Sequence, residues 1–317
     1  MARRKDSGKR QPANVPSPGS SIMVAVILLL LLAIGVVLFV MWRQQQAAKT
    51  TPQTPEARGP AEEIISDDRM VYGGQPRARS GAGGEAAVTV LKNLAYISGY
   101  SQSRRDPLWV CYRVWNNPQP YSLPRPTGGF LMDTRLAHPV KDSDYARSGY
   151  DRGHLAPNSA IARCYGPAAQ LETFLLTNIC PQTPALNEKV WERLEVAERG
   201  FGDTFEEVWV MDGPIFGDLN GGTTAKLASG IAVPSAFYKI LVDEEGAGAA
   251  TQGTRGMPRV FAVIMPQDVK GTELPQQYVT SIREIENQTH LEFLWKLDAA
   301  TQEQLESKAW PMWSRSR

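Results

Sequence analysis

The sequence predicts an α+β fold with a mainly antiparallel central sheet flanked by helices, and three observations lead there. Short β-branched and aromatic runs gather before and after a central helical stretch instead of alternating with helices. Several of these runs alternate polar with apolar residues and stop at turn residues, as half-buried strands do. No GxGxxG or GxxxxGKS/T follows any of them, so a doubly wound, nucleotide-cofactor sheet has no support.

The chain has 317 residues, 42% of them hydrophobic, enough for a real core. Its first feature is the uncharged run Ile22 to Trp42, IMVAVILLLLLAIGVVLFVMW. At about 1.5 Å per residue it spans a hydrocarbon layer of about 30 Å. It is longer than the apolar core of a secretory signal, and no small-x-small cleavage site follows before Arg43. Arg3, Arg4, Lys5, Lys9 and Arg10 precede it with Asp6 as the single acid, which by the positive-inside rule leaves residues 1–21 in the cytoplasm. The expectation is a single-pass anchor at 22–42, a polar linker at 43–62 rich in Gln, Thr and Pro, and one domain at 63–317 outside the cytoplasm. A bacterial periplasm or cell surface suits this topology, with the mitochondrial inner membrane as the alternative.

Within the domain, strands are expected at Leu94–Ser98, Pro107–Trp115, Glu207–Asp212, Ala236–Asp243 and Val260–Met265. Helical spacing of apolar residues marks Gly166–Leu175, Leu186–Gly200 and Thr280–Thr289. The three cysteines, Cys111, Cys164 and Cys180, lack metal-site spacing and leave either one disulfide plus a thiol or three buried thiols. Trp109, Trp115, Trp191 and Trp209 sit in apolar runs and read as core; Arg104 and Arg105 read as a solvated basic turn.

Of the three histidines, His138 lies in a polar, Pro-flanked loop and His290 in an amphipathic C-terminal segment. His154 is placed differently, in Asp151-Arg152-Gly153-His154-Leu155-Ala156-Pro157, where an acid, a guanidinium and a glycine crowd an imidazole. Such a cluster suits a histidine whose tautomer is fixed by a neighbouring acceptor, beside a group that binds phosphate oxygens. A second segment follows, TNICPQTPALNEKVWERLE from Thr177 to Glu195. Together, DRGHLAP and this segment resemble the signature of the DNA/RNA non-specific endonucleases, the ββα-metal nucleases that include endonuclease G. The likeness extends over roughly residues 88–297, through YISGYSQSRRDPLWVCYRV, VWVMDGPIFGD, IAVPSAFYKILVD, RVFAVIMPQ and SIREIENQTHLEF.

The resemblance implies a ββα-metal nuclease fold and a Mg²⁺-dependent endonuclease, Mn²⁺ substituting, that cuts DNA and RNA without sequence specificity and leaves 5′-phosphates. It implies His154 as general base and Asn187 as the one direct ligand of a hydrated Mg²⁺. Glu195 matches the acid that orients water on the metal, Asn178 an asparagine near the site, and Arg152 an arginine facing the phosphate. Arg125 is the best match to a further family arginine, with Arg135 as its competitor. Members of the family are often homodimers. The chemistry agrees with so sparse a set: an ordinary imidazole accepts a proton near neutral pH, and a cation held by a neutral amide oxygen keeps its charge for the phosphate.

Other classes fit less well. No GxSxG supports a serine hydrolase, and His138 with Lys141 misses the HxKxxxxD spacing of a phospholipase D-like enzyme by one residue. The main alternative is a catalytically inactive, membrane-tethered module of the same fold that binds nucleic acid or a partner; His154 and Asn187, both retained, argue against it. The net charge of +1 excludes binding by bulk positive charge. Five of the basic residues and one acid lie in residues 1–42, so the remaining 29 basic and 32 acidic groups give residues 43–317 a net charge of −3. A polyanion must therefore be drawn in by local arginines and a bound cation.

Overall fold

Residues 41, 67–80, 88–244 and 257–314 are described in the computed structural model. The chain divides into two units, Met1–Pro52 and Gln53–Arg317, and the elements from Asp67 onward belong to the second. The expected anchor at 22–42, Met41 apart, and the linker at 43–62 lie outside the described residues. Among those described, no helix is long and apolar enough to cross a membrane.

A short helix α1 (Asp67–Met70) and strand β1 (Arg77–Ala78) lead into β2 (Thr89–Lys92), β3 (Tyr96–Ser101) and β4 (Asp106–Trp115). The middle of the chain supplies β5 (Asp151–His154), α2 (Asn158–Tyr165), α3 (Pro167–Glu172), β6 (Ile179–Gln182), a π-helical turn over Leu186–Trp191 and α4 (Glu192–Phe205). Then come β7 (Glu207–Ile215), β8 (Ala225–Lys226), β9 (Ala232–Val233), β10 (Ala236–Asp243), β11 (Arg259–Pro266), β12 (Val279–Thr280), α5 (Ile282–Thr289), β13 (Leu291–Glu292) and α6 (Ala299–Glu306).

Seven strands form one sheet in the order β12-β11-β10-β7-β4-β3-β2, every pairing antiparallel. The α+β expectation with a mainly antiparallel sheet therefore holds. The expected half-exposed alternation does not: β10 is buried at every position and β7 at all but its first. The reason is cover on both faces. Glu198 of α4 reaches Lys239 of β10 on one face, while Tyr238, the preceding residue, packs against Phe293 on the other at 5.5 Å.

The same covering explains the tryptophans and the thiols. Trp109, Trp191 and Trp209 are buried and Trp115 packs against the core. All three cysteines are free and buried, which selects the thiol alternative. Arg104 and Arg105 are not a solvated pair: Arg104 binds Asp218 and Arg105 binds Asp144.

β5 and β6 stand apart as a two-stranded antiparallel ribbon with Asp151 opposite Gln182 and His154 opposite Ile179. The ribbon runs into the π turn and α4, so the two sequence motifs become a strand-strand-helix unit seated on the large sheet.

Candidate active site

His154 ends β5 and is almost fully buried. Its ring is boxed by Phe130 and Phe174, at 5.4 and 5.1 Å between centroids. Nε2 is buried with no hydrogen-bond partner among the described residues. The expected acceptor that would fix the tautomer is therefore not found among them, and aromatic packing orients the ring instead. Burial lowers the His154 pKa to about 3, the Arg125 charge adding to the effect, so the imidazole is neutral at physiological pH.

Asp151, two strand positions back on the same face as Gly153, has a different task. Its carboxylate accepts a 3.0 Å hydrogen bond from the Asn187 amide nitrogen. That commits the amide donor and leaves Oδ1 of Asn187 as the free end, without a hydrogen bond among the described residues. The π turn that presents Asn187 is held from both sides. Its backbone nitrogen donates to Thr183 O, and Thr183 is clamped by Gln267, which also donates to Pro181 O at 2.7 Å. π turns are inserted where a helix must present a side chain off its regular phase.

Gly153 is required for a reason that the motif alone hides. It does not have a positive φ; a Cβ there would lie 2.1 Å from Oε1 and 2.6 Å from Cγ of Gln182, which is itself fully buried. Gly153→Ala must push the two ribbon strands apart. We expect a stability loss of about 1–3 kcal/mol by urea unfolding, with displacement of His154 and lower nuclease turnover; unchanged stability would show that Gln182 has room to move.

A polar cleft of about 290 Å³ opens beside these groups, lined by Arg125, Arg152, His154, Asn158, Ser159, Asn187, Glu192, Glu195 and Arg199. Glu195 projects from α4 into it. Burial, with the Glu198 and Asp212 carboxylates nearby and Lys239 opposing, pushes the Glu195 pKa up to about 8. Arg152 is anchored by a 2.6 Å ion pair with Asp142, and the Arg125 guanidinium lies 5.0 Å over the Phe174 ring that also packs on His154.

Five of the six residues expected from the sequence thus meet in one cleft. Asn178 does not. It is fully buried, and its amide is saturated by the backbone of Ala156 and Thr173. Its part is to lock the turn after His154, beside the cleft and not in its lining. The competitor Arg135 is spent on Asp133, Lys92 O and Asn93 and does not line the cleft, whereas Arg125 does. Sequence reasoning does not assign Arg199, Glu192, Asn158, Ser159, Asp151 or Gln267 to these places. Only Arg199 carries a legible signal, lying four residues after Glu195 on the same helix face.

Comparison with known proteins places the chain in a family. The sequence model of the DNA/RNA non-specific endonuclease family matches residues 73–300. A nuclease of Nostoc sp. is 34% identical over 222 residues, covering 69% of this chain and 77% of that protein. Mitochondrial endonuclease G of Bos taurus is 30% identical over 242 residues, covering 71% and 79%. Among solved structures, an EndoG/EndoGI complex superposes with a TM-score of 0.56 at 23% identity, over 68% of this chain and 90% of that one, which bears on the fold. The chain is a nuclease and belongs to the DNA/RNA non-specific endonuclease family.

Proposed function

We propose that the domain hydrolyses phosphodiester bonds within DNA and RNA alike, using His154 as general base and a hydrated Mg²⁺ held by Asn187. The observation that carries this reading is the convergence of a neutral imidazole, a free amide oxygen, a carboxyl group and three arginines on one cleft.

The residues present suit a hard, oxygen-preferring cation. No group of three or more His, Cys, Asp or Glu side chains able to hold a metal occurs among the described residues, which disfavours an imidazole- or thiolate-bound ion such as zinc. Asn187 Oδ1, with its nitrogen committed to Asp151, would be the direct ligand, and Glu195, once a nearby cation favours its ionised form, would bind through water. When bound, the cation supplies charge neutralisation at the phosphate and an acidic water for the departing 3′-oxygen, with Mn²⁺ able to replace Mg²⁺. The protein does the rest. His154, neutral at physiological pH, takes the proton of the attacking water; burial leaves it a weaker base than an ordinary imidazole, an effect that a negative phosphate in the cleft opposes. Arg125, Arg152 and Arg199 hold the phosphate and offset its growing charge. These contacts all address the phosphate, which supports cleavage of either sugar; ends bearing 5′-phosphate follow from the family resemblance.

Digestion of plasmid DNA and total RNA by the purified protein, with Mg²⁺ and with chelator, tests the reading. Both polymers should be cut with Mg²⁺ and neither with chelator; a folded protein that binds but never cuts them would leave only the binding-module alternative. Metal affinity, followed by calorimetry, should separate the roles of the ligand and its support. Asp151→Ala is expected to weaken Mg²⁺ binding by about 10–100-fold and Asn187→Ala by more, with cleavage partly recovered at high Mg²⁺. Full activity of Asn187→Ala at low Mg²⁺ would remove it as the ligand.

A further inference from the structure

The cleft does not end at its lining residues. Asn158 and Ser159 enter it from the N-terminal end of α2, and Glu195 and Arg199 from α4. One turn further along each helix, about 6 Å at 1.5 Å per residue, Arg163 of α2 meets Asp203 of α4 in a 2.8 Å ion pair. The two helices therefore continue side by side beyond the cleft, with a cation still between them.

A third wall runs along the outside of α2. At the C-terminal end of this helix, Asn117 donates to Arg163 O and Cys164 O, and Tyr121 N donates to Arg163 O. At its N-terminal end, the Gln170 amide donates both to Pro124 O and to Asn158 Oδ1. The segment from Asn117 to Arg125 is thus laid antiparallel to α2, delivering Arg125 to the cleft and Tyr121 to the far end.

Among the described residues, Tyr121 is one of the few large hydrophobic residues left exposed, at 49%. Three atoms of its ring, Cζ, Cε2 and Cε1, lie 3.1, 3.2 and 3.3 Å from where a Cβ on Gly166 would be. Near-equal distances to neighbouring ring atoms place that point over the ring face. One face of Tyr121 therefore rests on a residue with no side chain, while the residue as a whole stays half exposed. A seated, half-exposed aromatic, continuing a line of guanidinium groups, is the arrangement by which single strands are held without sequence preference.

We infer that the surface leading from the cleft along α2, past Arg163 to Tyr121, is a subsite for the single-stranded stretch flanking the scissile phosphate, with Arg163 taking a backbone phosphate and Tyr121 stacking on an unpaired base. The inference rests on the nuclease reading for the direction of the strand. Stacked nucleotides advance about 3.4 Å each, and Tyr121 lies some seven helical residues, about 10 Å, from Ser159, so the stacked base is within about three nucleotides of the cut. The Arg163–Asp203 pair is exposed, with 35% and 43% of its side chains accessible, and so is weak enough for a phosphate to displace Asp203.

The test is fluorescence anisotropy of a labelled 12-nucleotide oligo(dT) and of a 12-base-pair duplex, both in chelator so that nothing is cut. Tyr121→Ala should weaken single-strand binding by at least about fivefold and leave the duplex unchanged, while Tyr121→Trp keeps wild-type affinity. Arg163→Ala should lower the slope of log K against log salt by about 0.7 for the single strand, the value for one phosphate. Asp203→Asn, which frees Arg163, should bind the single strand more tightly than wild type. Wild-type affinity of Tyr121→Ala, or equal losses on single strand and duplex, overturns the stacking; an Asp203→Asn no tighter than wild type overturns the phosphate contact. All four substitutions lie at the surface, and unchanged melting temperatures confirm intact folds. A wild-type protein that shows these dependences yet never cuts with Mg²⁺ would sink the catalytic reading alone.

Discussion

His154→Ala is expected to lower cleavage of DNA and RNA by about 10²–10⁴-fold, the usual contribution of a positioned general base, while leaving Mg²⁺ affinity close to wild type. The metal readout matters because His154 shares its aromatic box with Phe174, over which Arg125 also sits. A variant that simply collapsed the site would lose both. The same variant carries a stability signature. An imidazole held at about 3 in the folded protein and near 6.5 when unfolded lets the unfolded chain bind the extra proton between those values. The stability associated with keeping it neutral is complete above about pH 6.5 and is lost as pH falls toward 3. Between pH 7 and pH 5 this cost amounts to about 2 kcal/mol. In chelator, wild type should therefore lose more stability over that interval than His154→Ala, by about that difference in urea unfolding. Parallel pH profiles would mean that the imidazole is better solvated than its box of phenylalanines implies, and would weaken the case for a neutral base.

Much of this site is legible without the fold, and the parts that are not share a cause. His154, Asn187, Glu195 and Arg152 stand in two short segments whose residue types are demanded by chemistry, so they can be read one by one. The central strands are legible too, Ala236–Asp243 to the residue, because apolar β-branched runs leave little choice. What escapes is whatever depends on a partner distant in sequence. Gly153 looks like a conformational glycine, yet its need is set by Gln182 across the ribbon. Asp151 looks like a partner for His154 and instead orients Asn187, 36 residues on. Gln267 clamps Thr183 from 84 residues away, and no local pattern announces that. The strands β5 and β6 escape because four residues with a Gly or a Pro among them have no strand signature; they are strands because they pair. The helix expected at Leu186–Gly200 is not regular, and its π turn is a product of the Thr183 anchor.

Lys239→Met should destabilise the domain by about 3–5 kcal/mol. Lys239 is fully buried between Glu198 and Asp212, at 2.8 and 2.9 Å, and also donates to the Tyr112 hydroxyl at 2.8 Å. Its ammonium lies 4.8 Å over the Trp191 ring. Burial works against this charge, but Asp212 and Glu198 outweigh it and raise the Lys239 pKa. Burial likewise pushes Asp212 up to about 6, Lys239 opposing. Removing the lysine leaves two buried carboxyl groups without a counter-ion, so their pKa values must rise further. An acid whose folded pKa is raised binds protons that the unfolded chain gives up, and its burden on stability grows as pH rises through the interval between the two values. The deficit of Lys239→Met should accordingly be smaller at pH 5 than at pH 8, and the triple variant Lys239→Met, Glu198→Leu, Asp212→Leu should recover much of it, since apolar replacement of a whole buried ion cluster is often neutral. A deficit independent of pH would point to lost packing instead. The network also bears on catalysis. Glu198 lies on α4, one turn from Glu195 and next to Arg199, so the ions that tie α4 to β7 and β10 set the position of both cleft residues. The triple variant separates the two functions: restored stability with normal Mg²⁺ affinity would show that apolar packing positions α4 equally well, whereas restored stability with weakened Mg²⁺ binding would show that the buried charges are kept for the alignment of Glu195.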